Sequence, residues 1–213
     1  ALCYGEADPE IKILFAQALQ HLDSLGARVF DSLEIRDFSN LKEGQWCKTF
    51  RRDLETFLAE HVKSDTLKTL EDLAGAGFNS KMGRSGFDYF AEEDPDDRPL
   101  EECLDVYTDP KRLAFRRGVE DLMDSLELDA LVYPSWTFPP GTNKSYGEDY
   151  RGDNSQVIAP HTGQPAFTIP MGYTRGRLPA GIQFLGRMYD EPTLIKLVYA
   201  YEQGTKHRKP PVF

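Results

Sequence analysis

Three compact apolar runs set the frame: "ALVYP" (residues 130–134), "AFTIPMGY" (166–173) and "AGIQFLG" (180–186). Short apolar runs bounded by Pro, Gly and polar residues read as core strands. The first, closed by Pro134, fits a strand buried on both faces. A Gly/Arg/Pro turn at 174–179 separates the other two. Amphipathic helical patterns surround these runs, and strands alternating with helices predict an α/β layer architecture.

The helix signals are local. Asp8-Pro9 and Asp109-Pro110 each place an N-cap acid before Pro at the first helical position. Ile11, Leu14, Phe15, Ala18 and Leu22 follow the first at helical spacing, and Leu113, Val119, Leu122 and Met123 follow the second. Thr69 with Asp72 forms a capping-box pattern, and Asn40 with Glu43 suggests another ahead of an apolar face from Trp46 to Leu58. Residues 191–205 predict a last helix, ended by the cations and prolines of "KHRKPP". "ARVFDSLEI" (27–35) alternates like a short strand near a sheet edge. Residues 75–90 read as turn-rich and then aromatic, and 91–99 as an acidic solvated loop. About four strands for five helices is an incomplete sheet, so some of these helices are expected to need partners outside this sequence. The first residues read as the end of a segment that begins elsewhere.

Composition narrows the function. The 213 residues carry a formal net charge of -10. Such a surface repels phosphate backbones and anionic lipid, which argues against nucleic-acid and membrane-surface partners. Cys3, Cys47 and Cys103 have no short spacing, and the four histidines are not paired. They predict reduced thiols in a cytoplasmic protein and neither a disulfide framework nor a metal site.

No residue pattern forms a self-contained catalytic centre. There is no GxSxG elbow, phosphate loop or GxGxxG. Ser80, Lys81 and Ser85 in "NSKMGRSG" are too close in sequence to converge and read as an ordinary turn. Asn143-Lys144-Ser145 is a formal glycosylation sequon and Arg151-Gly152-Asp153 a chance-level RGD. The remaining candidate is the irregular stretch 134–165 between two core strands, where α/β folds place ligand contacts. It offers Tyr133, Trp136, Phe138, Tyr146, Asp153, Asn154, Ser155 and His161, aromatic walls with a few polar groups.

The order and spacing of "LDALVYPSWTFPPGTN" and "APHTGQPAFTIPMGYTRGRLPAGIQFLGRMYDEPTLIKLVYAYEQGTKHRKPP" resemble the C-terminal half of the amidase signature family. "DPEIKILFAQALQHLDSLGARVFD" and "TLEDLAGAGFN" resemble earlier helices of the same family. The resemblance implies a layered α/β/α fold with a mixed central sheet, of which residues 1–213 form the C-terminal portion. It implies hydrolysis of a carboxamide bond by a serine, a bridging cis-serine and a lysine, with no cofactor. That triad and its Gly/Ser-rich oxyanion loop have no match here, so no catalytic residue is assigned to this chain. They are expected on an N-terminal segment or companion chain that completes the domain, and the complete enzyme could also form a homo-oligomer. Alignment on Thr162-Gly163-Gln164-Pro165-Ala166 places Asp153 where amidotransferase relatives have an acid contacting the substrate's amino group. Asn154, Ser155 and Trp136 are then the other expected pocket residues. The competing readings are a non-catalytic scaffold and an amidotransferase A-type subunit.

Overall fold

The computed structural model describes residues 6–77, 81–92, 99–149, 151–152 and 157–210. In chain order the helices are α1 (Pro9–Ser24), α2 (Phe38–Lys42), α3 (Phe50–His61), α4 (Leu70–Gly75), α5 (Lys81–Ala91), α6 (Pro110–Ser125), α7 (Tyr146–Asp149), α8 (Ala159–Thr162) and α9 (Glu191–Thr205). The strands are β1 (Leu131–Pro134), β2 (Ala166–Thr174) and β3 (Leu178–Leu185). The chain divides into two compact units, one made of Ala1–Glu43 with Val106–Phe213, the other of Gly44–Asp105.

The first unit is built on a sheet of order β1-β3-β2. Both pairings are antiparallel, with Tyr133 and Thr168 each opposite Gln183. The β2–β3 ladder slips at Pro170 and Gly172, where proline cannot donate. Gly172 has φ 149°, and a Cβ there would sit 2.6 Å from Leu14 Cδ2 of α1. That position lets α1 lie close against the sheet.

Side-chain alternation gives the sheet two apolar faces. On one, Ile182 and Phe184 pack with Phe15 and Ala18 of α1 and Leu194 and Tyr201 of α9. On the other, Leu131, Tyr133 and Leu185 pack with Phe115, Val119 and Met123 of α6. The described part is thus an α/β/α layering, as the fold class requires. The helices enter it as their caps predict: Asp8 accepts from Glu10 N–H at 2.9 Å and Asp109 from Lys111 N–H at 2.9 Å.

The second unit holds α3, α4 and α5. Thr69 and Asp72 form the expected capping box on α4. Among the described residues of this unit only Leu58 and Leu70 are buried apolar side chains, while Trp46, Phe50, Phe57 and Tyr89 stand exposed. A disulfide, Cys47–Cys103, joins its two chain ends across 56 positions of sequence.

Several expectations are corrected. The disulfide overturns the reading of reduced thiols, because folding brings distant cysteines to a Cα separation of 6.0 Å that sequence spacing does not display. It also removes the cysteine argument for a cytoplasmic location, since disulfides persist in oxidising compartments. Residues 27–35 form no strand: Ser32 has φ 58°, which breaks the alternation, and among the described residues no strand lies beside them to pair with. Asn40 does not cap a helix but lies inside α2, where its amide donates to Asp37. The helix expected after it begins at Phe50, leaving Trp46 in a loop. Residues 81–91 are helix rather than turn, with Phe90 stacked 4.5 Å from Phe50. Tertiary packing there overrides two glycines of low helix propensity. Ser80 and most of the acidic loop, residues 93–98, lie outside the described residues. No helix of the described structure is long and apolar enough to cross a membrane.

Candidate functional site

The segment between β1 and β2 is held at both ends. Where it leaves β1, Trp136 Nε1 donates to the Arg151 carbonyl at 2.7 Å. Gly152, at φ 77°, lies so close to this stretch that a Cβ would meet Thr137 Oγ1 at 2.2 Å and the Phe138 ring at 2.9 Å. Residues 136–138 therefore clamp the chain immediately before position 153. Between the two clamped points, Ser145 closes a turn by bonding Thr142 Oγ1 at 2.8 Å and the Asp149 carboxylate. The Asp8 N–H donates to the Thr137 carbonyl at 2.9 Å, which ties the clamp to the start of α1.

The other end is fixed by α6 and β3. Arg116 Nε donates to the Thr162 carbonyl at 2.7 Å, and its Nη2 to the Val106 carbonyl. Gln164 Nε2 donates to the Gly186 carbonyl at 2.9 Å. Gly163 ends α8 at φ 74°, the left-handed conformation of a helix C-cap. A Cβ there would meet Val106 Cγ2 at 2.3 Å, so position 163 requires glycine for space as well as for conformation.

Asp153, Asn154 and Ser155 lie outside the described residues, between these two anchors. Trp136 is half-buried, and its indole N–H is spent on the backbone of the rim. Tyr133 is a core side chain. His161 is buried too, and burial together with the neighbouring Arg112 guanidinium lowers its pKa to about 4. Its side chain thus stands inside the fold rather than exposed on the rim.

One polar row is not legible as a site in the sequence. Ser135 Oγ lies 3.0 Å from Thr168 Oγ1, which donates to Gln183 Oε1 at 3.2 Å. Gln183 Nε2 in turn donates to the Tyr133 hydroxyl at 3.2 Å. The row runs from exposed Thr168 to buried Tyr133 across all three strands. Its sequence signal is a polar residue inside two of the three apolar runs, Thr168 and Gln183. Neutral hydroxyls and an amide can hold a polar neutral group. They cannot activate a nucleophile, because among the described residues no base touches Ser135 or Thr168.

The Amidase family model matches residues 2–195. The chain belongs to the amidase family. It is 31% identical over 168 residues to the probable amidase At4g34880 of Arabidopsis thaliana, covering 77% of this chain and 29% of that protein. It is 38% identical over 87 residues to the A-type subunit of glutamyl-tRNA(Gln) amidotransferase from Oceanobacillus iheyensis, covering 39% of this chain and 18% of that protein. The structure superposes on native peptide amidase from Stenotrophomonas maltophilia with TM-score 0.64 and 27% identity, over 95% of this chain and 41% of that one. The chain thus spans less than half the length of these amidase relatives. The fold expected from the C-terminal motifs stands, and residues 134–165 lie within the region matched by the family model.

Proposed function

We propose that this chain is the C-terminal part of an amidohydrolase that cleaves a carboxamide bond to acid plus ammonia or amine. The serine, cis-serine and lysine belong to the companion segment or chain. This chain contributes core and one wall of the substrate pocket. The observation that carries the reading is the bracing of the described residues on either side of 153–156, Arg151 by Trp136 and Thr162 by Arg116, within an amidase-family framework. Braced flanks favour the presentation of a carboxylate at a constant place, which substrate orientation requires. Asp153 then holds a cationic amine of the substrate, Asn154 and Ser155 supply neutral polar contacts, and Trp136 acts as a positioning residue. The likeness to peptide amidase favours a small carboxamide or a C-terminal peptide amide as substrate.

The test is Asp153→Ala in the complete enzyme. A charge-assisted contact contributes about 1.5–3 kcal/mol, so KM for amine-bearing amides should rise about 10- to 100-fold. KM for neutral amides should change less than about 2-fold, because they have no charge to lose. Equal effects on both substrate classes would remove Asp153 from this role. The match to A-type amidotransferase subunits supports a second reading, in which glutamine is the amide. Hydrolysis of glutamine that depends on a co-purifying partner would select it over the first. A complete protein that turns over no amide in a broad panel would leave only the scaffold reading.

A further inference from the structure

Asn143-Lys144-Ser145 is the one Asn-X-Ser/Thr triplet in the sequence, and neither Lys144 nor Tyr146 is proline. Such a triplet recurs by chance in chains of this length. It becomes a site only where the fold exposes its asparagine and the compartment supplies the sugar. The structure bears on both conditions. Residues 142–145 form a turn, closed by the Ser145 N–H donating to the Thr142 carbonyl at 3.1 Å. The inner side of this turn is filled. Ser145 Oγ lies 2.8 Å from Thr142 Oγ1 and donates to the Asp149 carboxylate, and a Cβ on Gly141 would meet Asp149 Cβ at 2.7 Å. Asn143 and Lys144 are the two central residues of the turn, and both are exposed. Among the described residues no hydrogen bond engages the Asn143 side-chain amide. The second condition is carried by the other unit, where the half-buried Cys47 and Cys103 are joined. A disulfide persists where glutathione does not keep thiols reduced, as in the secretory lumen and outside the cell. Its formation takes two electrons and two protons from the thiols, accepted by a disulfide oxidant of that compartment, which becomes a dithiol. Asparagine-linked sugar is attached in the same lumen.

We propose that Asn143 is an N-glycosylation site and that this chain matures in an oxidising secretory lumen. The donor is a lipid-linked oligosaccharide diphosphate. Asn143 Nδ2 attacks the anomeric carbon of its first sugar, the bond from that carbon to the diphosphate oxygen breaks, and a carbon–nitrogen bond forms. The lipid diphosphate leaves with the electron pair, one Nδ2 proton passes to a base of the transferase, and nothing is oxidised or reduced. Transfer precedes folding, because in the folded turn the Ser145 hydroxyl that completes the triplet is bonded to Asp149. The sugar is kept after folding because its asparagine is at the exposed tip while Thr142, Ser145 and Asp149 fill the inner side. A bulky hydrophilic group is tolerated only at such a place. The turn lies between Trp136 and Arg151, so the sugar stands on the connection that bears the candidate pocket wall. The inference goes beyond the amidohydrolase reading and does not depend on it, since an inactive scaffold would carry the same sugar.

The test uses the complete protein isolated from its natural source and digested without reduction. The peptide holding residue 143 is expected to carry hexose and N-acetylhexosamine in most molecules. N-glycosidase should remove them and leave a carboxylic acid at that position. The peptides holding Cys47 and Cys103 are expected to be joined. Bare Asn143 in most molecules overturns the proposal whatever the state of the cysteines, and free thiols at both cysteines overturn the compartment. Asn143→Gln and Ser145→Ala should each abolish the mobility shift that N-glycosidase removes, whereas Ser145→Thr keeps a readable triplet and should preserve it. A shift that survives Asn143→Gln belongs to another residue and overturns the assignment. Ser145→Ala also opens the turn, so if it fails to accumulate the result is read from Asn143→Gln, which leaves the Ser145 bonds in place. Amide hydrolysis is read separately. Sugar without activity keeps this site and defeats the enzyme reading, and activity without sugar does the reverse.

Discussion

The two units reach compactness by different means. Residues 6–43 with 106–210 cover a sheet with helices on both faces and bury Phe15, Phe115, Phe184 and Tyr201. Residues 44–105 carry α3, α4 and α5 over a core that includes Leu58 and Leu70, and a covalent link closes the ends. Small units that bury little apolar surface are marginal without a staple. In the chain-entropy view a disulfide across 56 positions stabilises by about 4 kcal/mol, comparable to what one large buried aromatic contributes. One unit is held by packing, the other by packing plus a constraint on its unfolded state.

The sharpest challenge to this contrast is Phe115→Ala. Phe115 is fully buried under the sheet and meets the Phe38 ring edge-on at 5.9 Å. Its loss should cost about 3–5 kcal/mol, read by chemical denaturation, and should lower exchange protection in α6 and β1. Next is Cys47→Ser or reduction. The expected loss is about 2–4 kcal/mol, confined to residues 44–105, with limited proteolysis cutting there first. Equal loss of protection across β3 would show that the units unfold as one body.

A smaller effect sits in the first unit and depends on pH. His161 has its folded pKa lowered to about 4, below the unfolded value near 6.5. Between those values the unfolded chain binds the extra proton, so stability falls as pH drops from about 6.5 to 4 and levels off below. The loss should be at most about 3 kcal/mol, and His161→Gln should flatten that part of a melting-temperature profile. Thr69→Ala is the mildest. It removes the α4 capping box and should cost about 1 kcal/mol, with local fraying of residues 70–75.

What could be read in advance follows the range of the interactions. The starts of α1, α4 and α6 were legible because a cap and the helix it opens lie within four residues of each other. The three core strands were legible as apolar runs. The strand expected at 27–35 is not realised because Ser32 turns the chain at φ 58° and, among the described residues, no strand pairs with it. The start of α3 and the existence of α5 were missed because Phe50 and Phe90 meet only after folding. At the candidate site, family motifs pointed to the rim and to Trp136. They did not reveal that Arg116 and Gln164 brace the far end, since those bonds cross 46 and 22 positions of sequence.

By itself, then, the sequence determined the local starts, the apolar runs and the family, all of which depend on neighbouring residues and on motif order. Only the tertiary structure decided the antiparallel order β1-β3-β2, the Cys47–Cys103 link and the bracing of the rim. Each of these joins atoms far apart along the chain. Such contacts form only when burial of the shared core offsets the entropy of closing the loops between them.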